Sequence, residues 1–156
     1  MITFDKLLDE DEEARVSDTV TLPFLLRQKS RQRVRLDSGR DAALYTPRGF
    51  VLRDGDRLRG DHEEIVRVVA ARETVSTGIC QDSLLIAKAA YHLGNRHVPL
   101  QIGPGFLRYQ HDHVLDDMVR ALGLVVFCEQ AEFEPESGAY GHSHAHSHDH
   151  SPDHDH

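Results

Sequence analysis

The sequence predicts an α+β protein, on three observations. Short apolar runs separated by Gly, Asp and Pro turns occupy the chain to about residue 71. A βαββαβ succession of apolar periods follows, as far as residue 127. A segment almost without apolar residues closes the chain from Gly141. We therefore expect a small N-terminal β domain over residues 1–71, a split-βαβ (ferredoxin-like) domain over 72–140, and a disordered His-rich tail over 141–156. A chain of 156 residues with 39% apolar content suffices for one ordinary domain or two small ones.

The elements follow in order. Residues 1–18 are charged and without clear period, and read as a short, partly mobile lead. From Arg31 to Leu36 residue types alternate, so a strand places Arg31, Arg33 and Arg35 on one face and Val34 and Leu36 on the other. Asp37-Ser38-Gly39 signals a turn, Ala42–Thr46 a strand, Pro47-Arg48-Gly49 a turn, and Phe50-Val51-Leu52 another short strand. No useful helical period occurs between Thr19 and Arg72. Ile65, Val66, Val68 and Val69 form a buried-strand run that opens the βαββαβ succession, with the domain boundary near residue 70. A helix is expected from about Asp82 to Leu93, capped by Asp82 or Ser83 and stopped at Gly94, with Leu84, Leu85, Lys88 and Tyr91 or His92 sharing a face. Strands at His97–Ile102 and Phe106–Tyr109 flank Gly103-Pro104-Gly105. A second helix, about His111 to Leu122, buries Val114, Leu115, Met118, Val119 and Leu122, and Gly123 ends it before a strand at Leu124–Phe127.

Composition excludes several functions. The formal charge of −8 disfavours a nucleic-acid partner. No stretch approaches ~18 consecutive apolar residues, so no membrane span is expected. Met1–Glu13 lacks the layout of a secretory signal. Cys80 and Cys128 form no C-x-x-C pair and read as small buried apolar residues in a reducing, cytoplasmic setting. Neither H-E-x-x-H nor a G-x-x-x-x-G-K-[ST] phosphate loop occurs. A non-enzyme is expected. The Arg31, Arg33, Arg35 row is a partner-binding candidate, though a solvated strand face is the simpler reading.

Histidine is the anomaly: 12 in all, seven of them in residues 142–156. His142, His144, His146, His148 and His150 alternate, so an extended chain turns their rings to one side; His154 and His156 follow. Imidazole suits nickel, copper and zinc rather than magnesium or calcium, and the tail is read as metal-binding. A flexible tail must be ordered at each binding event, so a better-defined site should lie on the folded chain. His111 and His113 flank a helix start, where partial positive charge opposes imidazolium and leaves the ring free for a metal. Rings two apart in a regular helix diverge, so convergence requires a frayed first turn or one ring before the helix; spacing leaves open whether these are ligands or exposed helix-start residues. His97, taken on spacing, reads as a helix-cap or core histidine, and His62 and His92 as structural. A histidine near a two-fold axis is nonetheless presented twice.

Two stretches, Tyr91-His92-Leu93-Gly94-Asn95-Arg96-His97-Val98-Pro99-Leu100-Gln101-Ile102 and Leu107-Arg108-Tyr109-Gln110-His111-Asp112-His113-Val114-Leu115-Asp116-Asp117-Met118, resemble the signature of the UreE family of urease accessory proteins. Phe133–His142 is similar to that family's exit into a His-rich tail. The resemblance covers most of the chain from Arg31 and is tightest in residues 91–122. It implies a nickel metallochaperone with a protein- or peptide-binding N-terminal β domain and a dimerising ferredoxin-like domain. It makes His97 the nickel ligand at the homodimer interface and His111 and His113 peripheral sites. Ni(II) is then cargo, with Zn(II) and Cu(II) as competitors. The partners are a UreG-type GTPase and, through it, the urease apoprotein complex. A metal buffer or storage protein without a delivery partner is the alternative.

Overall fold

The computed structural model describes residues 1–137. It is a mixed α+β structure dominated by strands, built as two sheets. The expected disorder of the His-rich tail lies outside the described residues.

The first sheet contains β1 (Ile2–Leu7), β2 (Asp18–Leu22), β3 (Arg31–Arg35), β4 (Asp41–Tyr45), β5 (Arg57–Gly60) and β6 (Ile65–Ala70) in the order β2-β6-β5-β1-β4-β3. A one-turn helix α1 (Phe24–Arg27) follows Pro23. Alternation drives this sheet: Val34 and Leu36 turn inward from the hairpin β3–β4 while Arg31, Arg33 and Arg35 stay exposed. Phe4, Val20, Leu44, Leu58, Val66 and Val68 fill the core.

The N-terminal lead is a correction. Residues 2–7 form an interior strand, parallel to β4 and antiparallel to β5. A register shift between Phe4 and Lys6 breaks the two-residue period, and Phe4 is the strand's only buried residue, so little local signal remains. Gly60 permits the close pairing, since a β-carbon there would run into the Thr3 carbonyl and the Phe4 ring. Phe50–Leu52 is irregular rather than a strand; Leu52 is nevertheless fully buried, and its N–H bonds the Arg27 carbonyl at 2.9 Å.

The second sheet contains β7 (Arg72–Ile79), β8 (Gln101–Gly103), β9 (Phe106–Gln110) and β10 (Val125–Glu132), all antiparallel, in the order β10-β7-β9-β8. Helices α2 (Ser83–Asn95) and α3 (His113–Ala121) follow β7 and β9. The opening strand of this unit is therefore β7, not Ile65–Val69, which pairs with β2 and β5 in the first sheet. The polar Glu73-Thr74-Ser76-Thr77 stretch hid β7, because its partners on both sides satisfy the strand that its own apolar content does not announce. β8 is shorter than expected, since His97–Leu100 is irregular, and β10 runs on to Glu132.

On α2 the buried residues are Ile86, Ala89 and Leu93, while Leu84 and Tyr91 are exposed. The expected face was rotated because Lys88 and the paired leucines mimic an apolar period. α3 buries Leu115, Asp116 and Val119, with Val114 exposed, and starts at His113 rather than His111. Gly78 lets α3 approach: a β-carbon there would meet Leu124, Leu107 and Val119 at 3.2–3.4 Å. Cys80 is half-buried and Cys128 exposed, against expectation, because β10 is an edge strand that buries only Val126.

The sheets are tied by residues 133–136. Phe133 packs edge-on to Phe24 at 5.5 Å in a small cluster with Val75. Fully buried Arg27 donates to the Leu22 and Leu52 carbonyls (3.1 and 3.2 Å), to Glu134 Oε1 (2.8 Å) and to the Phe133 carbonyl. Arg53 donates to the Pro135 carbonyl at 2.6 Å, and Glu73 accepts from the Phe24 N–H at 2.9 Å.

Candidate metal centre

Three of the sequence-predicted residues fall on described chain. His97 follows α2 after the single C-cap residue Arg96. Asp82 caps the start of that helix, its Oδ1 accepting from the Leu84 N–H at 2.9 Å. At the far end the His97 N–H bonds the Gly94 carbonyl at 3.0 Å, with His97 at φ +57°. This is the left-handed position just beyond a helix, where glycine is the usual occupant. A histidine held there costs backbone energy, and its side chain is exposed, so it is not a core residue.

His111 and His113 flank Asp112, whose Oδ1 accepts from the Val114 and Leu115 N–H groups at 2.9 and 3.2 Å. The cap places His111 outside the helix and His113 at its first position, the arrangement that convergence of the two rings requires. Both are exposed. The His111 N–H bonds the Thr74 carbonyl at 3.3 Å, which fixes its backbone to β7.

The His111 ring is held as well. Its Nδ1 lies 3.0 Å from Ser76 Oγ and 3.4 Å from Asp116 Oδ2. Asp116 is buried and its Oδ1 accepts from the fully buried Tyr109 hydroxyl at 2.7 Å. Burial, then the Asp116 carboxylate, pushes the Tyr109 phenol well above its ordinary range. Sequence reasoning missed Ser76, Tyr109 and Asp116. The available signal was Asp116 itself, a carboxylate wedged between Leu115 and Val119 on an apolar helix face.

Register brings these positions to one end of the second sheet. Gln101 pairs with Arg108, so β8 begins where β9 ends; Val75 pairs with Gln110, so β7 begins there too. The His97 segment, His111 and the start of α3 therefore share that end. The described chain also finishes there: the Glu136 N–H bonds the Leu100 carbonyl at 2.7 Å, and the Glu134 N–H bonds Gln101 Oε1 at 3.0 Å. Among the described residues no three of His, Cys, Asp and Glu are grouped to hold one metal ion. His142, His144, His146, His148, His150, His154 and His156 lie outside the described residues.

His92 is exposed with its ring 5.4 Å from that of Tyr91, and His62 is exposed at φ +59°, so neither serves as a core histidine. In the arginine row, Arg31 lies 5.6 Å over the Tyr45 ring and Arg35 sits 3.5 Å from Asp41. No described helix is long and apolar enough to cross a membrane.

Fold and site together define a two-sheet α+β scaffold with exposed His111 and His113 at one end of its second sheet, the end at which the segment from His97 enters β8. Residues 4–71 match the family model described as UreE urease accessory protein, N-terminal domain, and residues 63–156 the model of the C-terminal domain. The urease accessory protein UreE of Pseudomonas putida strain W619 is 58% identical over 141 residues, covering 90% of this chain and 86% of its own. That of Alkalilimnicola ehrlichii is 62% identical over 123 residues (79% and 76%), and that of Escherichia coli O157:H7 is 56% identical over 128 residues (81% and 83%). The chain belongs to the UreE family of urease accessory proteins.

Proposed function

We propose that this accessory protein is a nickel metallochaperone, which carries Ni(II) and delivers it to urease during maturation. The observation that supports the reading is that exposed His111 and His113 follow β9 at the end of the second sheet where the segment from His97 enters β8 and residues 134–136 bond to it. Imidazole nitrogens are donors suited to nickel, and they also admit Zn(II) and Cu(II) as competitors. Two copies related by a two-fold axis present His97 twice, which makes one ion the link between protomers. The tail histidines, His142 to His156, begin five residues after Ser137 and add further donors. A site of few folded-chain ligands is open enough to release its cargo, and the protein acts without catalysing a reaction of its own.

The architecture fits this division of labour. Residues 1–71 form the β domain that meets protein partners, 72–140 the metal-binding and dimerising domain, and 141–156 the ion-gathering tail. The strand order β10-β7-β9-β8 with two helices supports a ferredoxin-like reading of the second domain. The partners are a second copy of the chain, a UreG-type GTPase and through it the urease apoprotein, in the cytoplasm.

Calorimetric nickel titration tests the proposal on two variants. His97→Ala is expected to lose the tightest phase and keep weaker ones. Deletion of residues 142–156 is expected to lower the number of bound ions yet preserve the dimer and the His97 phase. An unchanged high-affinity phase in His97→Ala rules the assignment out. Nickel-dependent capture of the GTPase separates delivery from simple buffering, since a buffer forms no such complex.

A further inference from the structure

His111 differs from the other histidines of the described chain in having side-chain oxygens against a ring nitrogen. A neutral imidazole carries one N–H and one lone pair, and its partners decide which nitrogen has which. Two groups face Nδ1: the Ser76 hydroxyl at 3.0 Å and the Asp116 carboxylate at 3.4 Å. The hydroxyl donates or accepts with equal ease and so decides nothing. An ionised carboxylate only accepts, so Asp116 Oδ2 stabilises an N–H at Nδ1 and opposes a lone pair there. The Tyr109 hydroxyl occupies the other oxygen at 2.7 Å, which fixes the carboxylate and leaves Oδ2 toward the ring. Ser76 and Tyr109 are register partners on β7 and β9, and Asp116 stands in the first turn of α3, so the grip is built on rigid elements.

We propose that Asp116, held in place by Tyr109, is the positioning residue that keeps His111 in its Nδ1–H form and presents Nε2 as the lone-pair donor to a divalent transition-metal ion. The carboxylate–imidazole–metal relay raises donor basicity and spares the ring a reorientation when the ion arrives. His113, with no described side chain on its ring, lacks this preparation. The proposal rests on the reading of His111 as a metal ligand.

Long-range proton–nitrogen NMR of the metal-free full chain, at about pH 8 so that imidazoles are neutral, reads the tautomer directly. The His111 ring is assigned by its loss in His111→Ala. The expected spectrum shows the proton on Nδ1; a proton mainly on Nε2 overturns the proposal without need of any variant. Zn(II) titration followed at the His111 nitrogens supplies the second reading. In Asp116→Asn the tautomers are expected to mix, and the zinc concentration for half-shift to rise about tenfold or more. A folded Asp116→Asn protein with unchanged tautomer and unchanged half-shift also overturns it. If the wild-type ring is Nδ1–H but its Nε2 never shifts with zinc, the tautomer assignment stands and the ligand reading of His111 fails.

Discussion

Replacing Arg27 with methionine should loosen the joint between the two sheets more than any single change on the surface. The side chain is fully buried and spends its guanidinium on three carbonyls and one carboxylate oxygen. Burial lowers the Arg27 pKa, and Glu134 and Glu73 act to keep the charge in place. Methionine restores much of the volume but none of the donors. It leaves the Leu52 and Phe133 carbonyls without that donor, the Leu22 carbonyl with the Ala71 N–H at 3.0 Å, and Glu134 with the Asp54 N–H at 2.9 Å. Breaking a buried pair by removing one member costs about 3–5 kcal/mol. Glu134, 30% exposed, recovers some hydration, which favours the lower end of that range. For a folded chain of this size ~3.5 °C is lost per kcal/mol, giving a fall in Tm of about 10–17 °C. Calorimetry on metal-free protein at one fixed concentration is the assay, because ligand and self-association each move Tm. Glu134→Gln is the companion, expected to lose only about 1 kcal/mol since its amide oxygen still accepts. A melting point for Arg27→Met within ~3 °C of the parent would show that packing at Phe24, Val75 and Phe133 holds the joint by itself.

His97→Gly should separate stability from function: relief of the left-handed histidine gains about 0.5–1 kcal/mol in the metal-free protein, while the tight nickel phase disappears, both read by calorimetry. Gly78→Val forces a side chain between Leu124, Leu107 and Val119 and should cost about 1–3 kcal/mol in urea unfolding. Asp112→Ala removes the acceptor of two helix-start N–H groups, for a loss of about 1 kcal/mol by the same assay. Acid titration should expose Asp18. Burial opposes its charge, but hydrogen bonds from Ser38, Thr19 and Arg40 outweigh it and hold the carboxyl below its ordinary value. A depressed folded-state pKa gives stability that is fully present above the unfolded value, near pH 4, and is lost as pH falls through the folded value. Asp18→Asn should therefore flatten the acid limb of a stability-against-pH curve, and an unaltered limb would contradict the assignment.

The hairpin of β3 and β4 was legible because alternation and the turn Asp37-Ser38-Gly39 are local. The caps Asp82 and the stop at Gly123 were legible for the same reason. β1 and β7 were not. β7 is mostly polar, β1 carries a register shift that breaks its period, and both become strands by pairing with segments far along the chain. His97 gained weight only from the resemblance of its surrounding motif, since one histidine after a helix carries no chemistry by spacing.

Sequence by itself determined the α+β class, the family and the histidines worth testing, because period, caps and motifs are written in neighbouring residues. Tertiary structure alone decided that Ile65–Ala70 belongs to the first sheet and that Arg27 bolts the sheets together. It also decided that Asp116, Tyr109 and Ser76 close around His111. The physical reason is common to all three: a strand's partner, a buried guanidinium's acceptors and an imidazole's proton are settled by groups that meet only in space, and their free energy has no local signature.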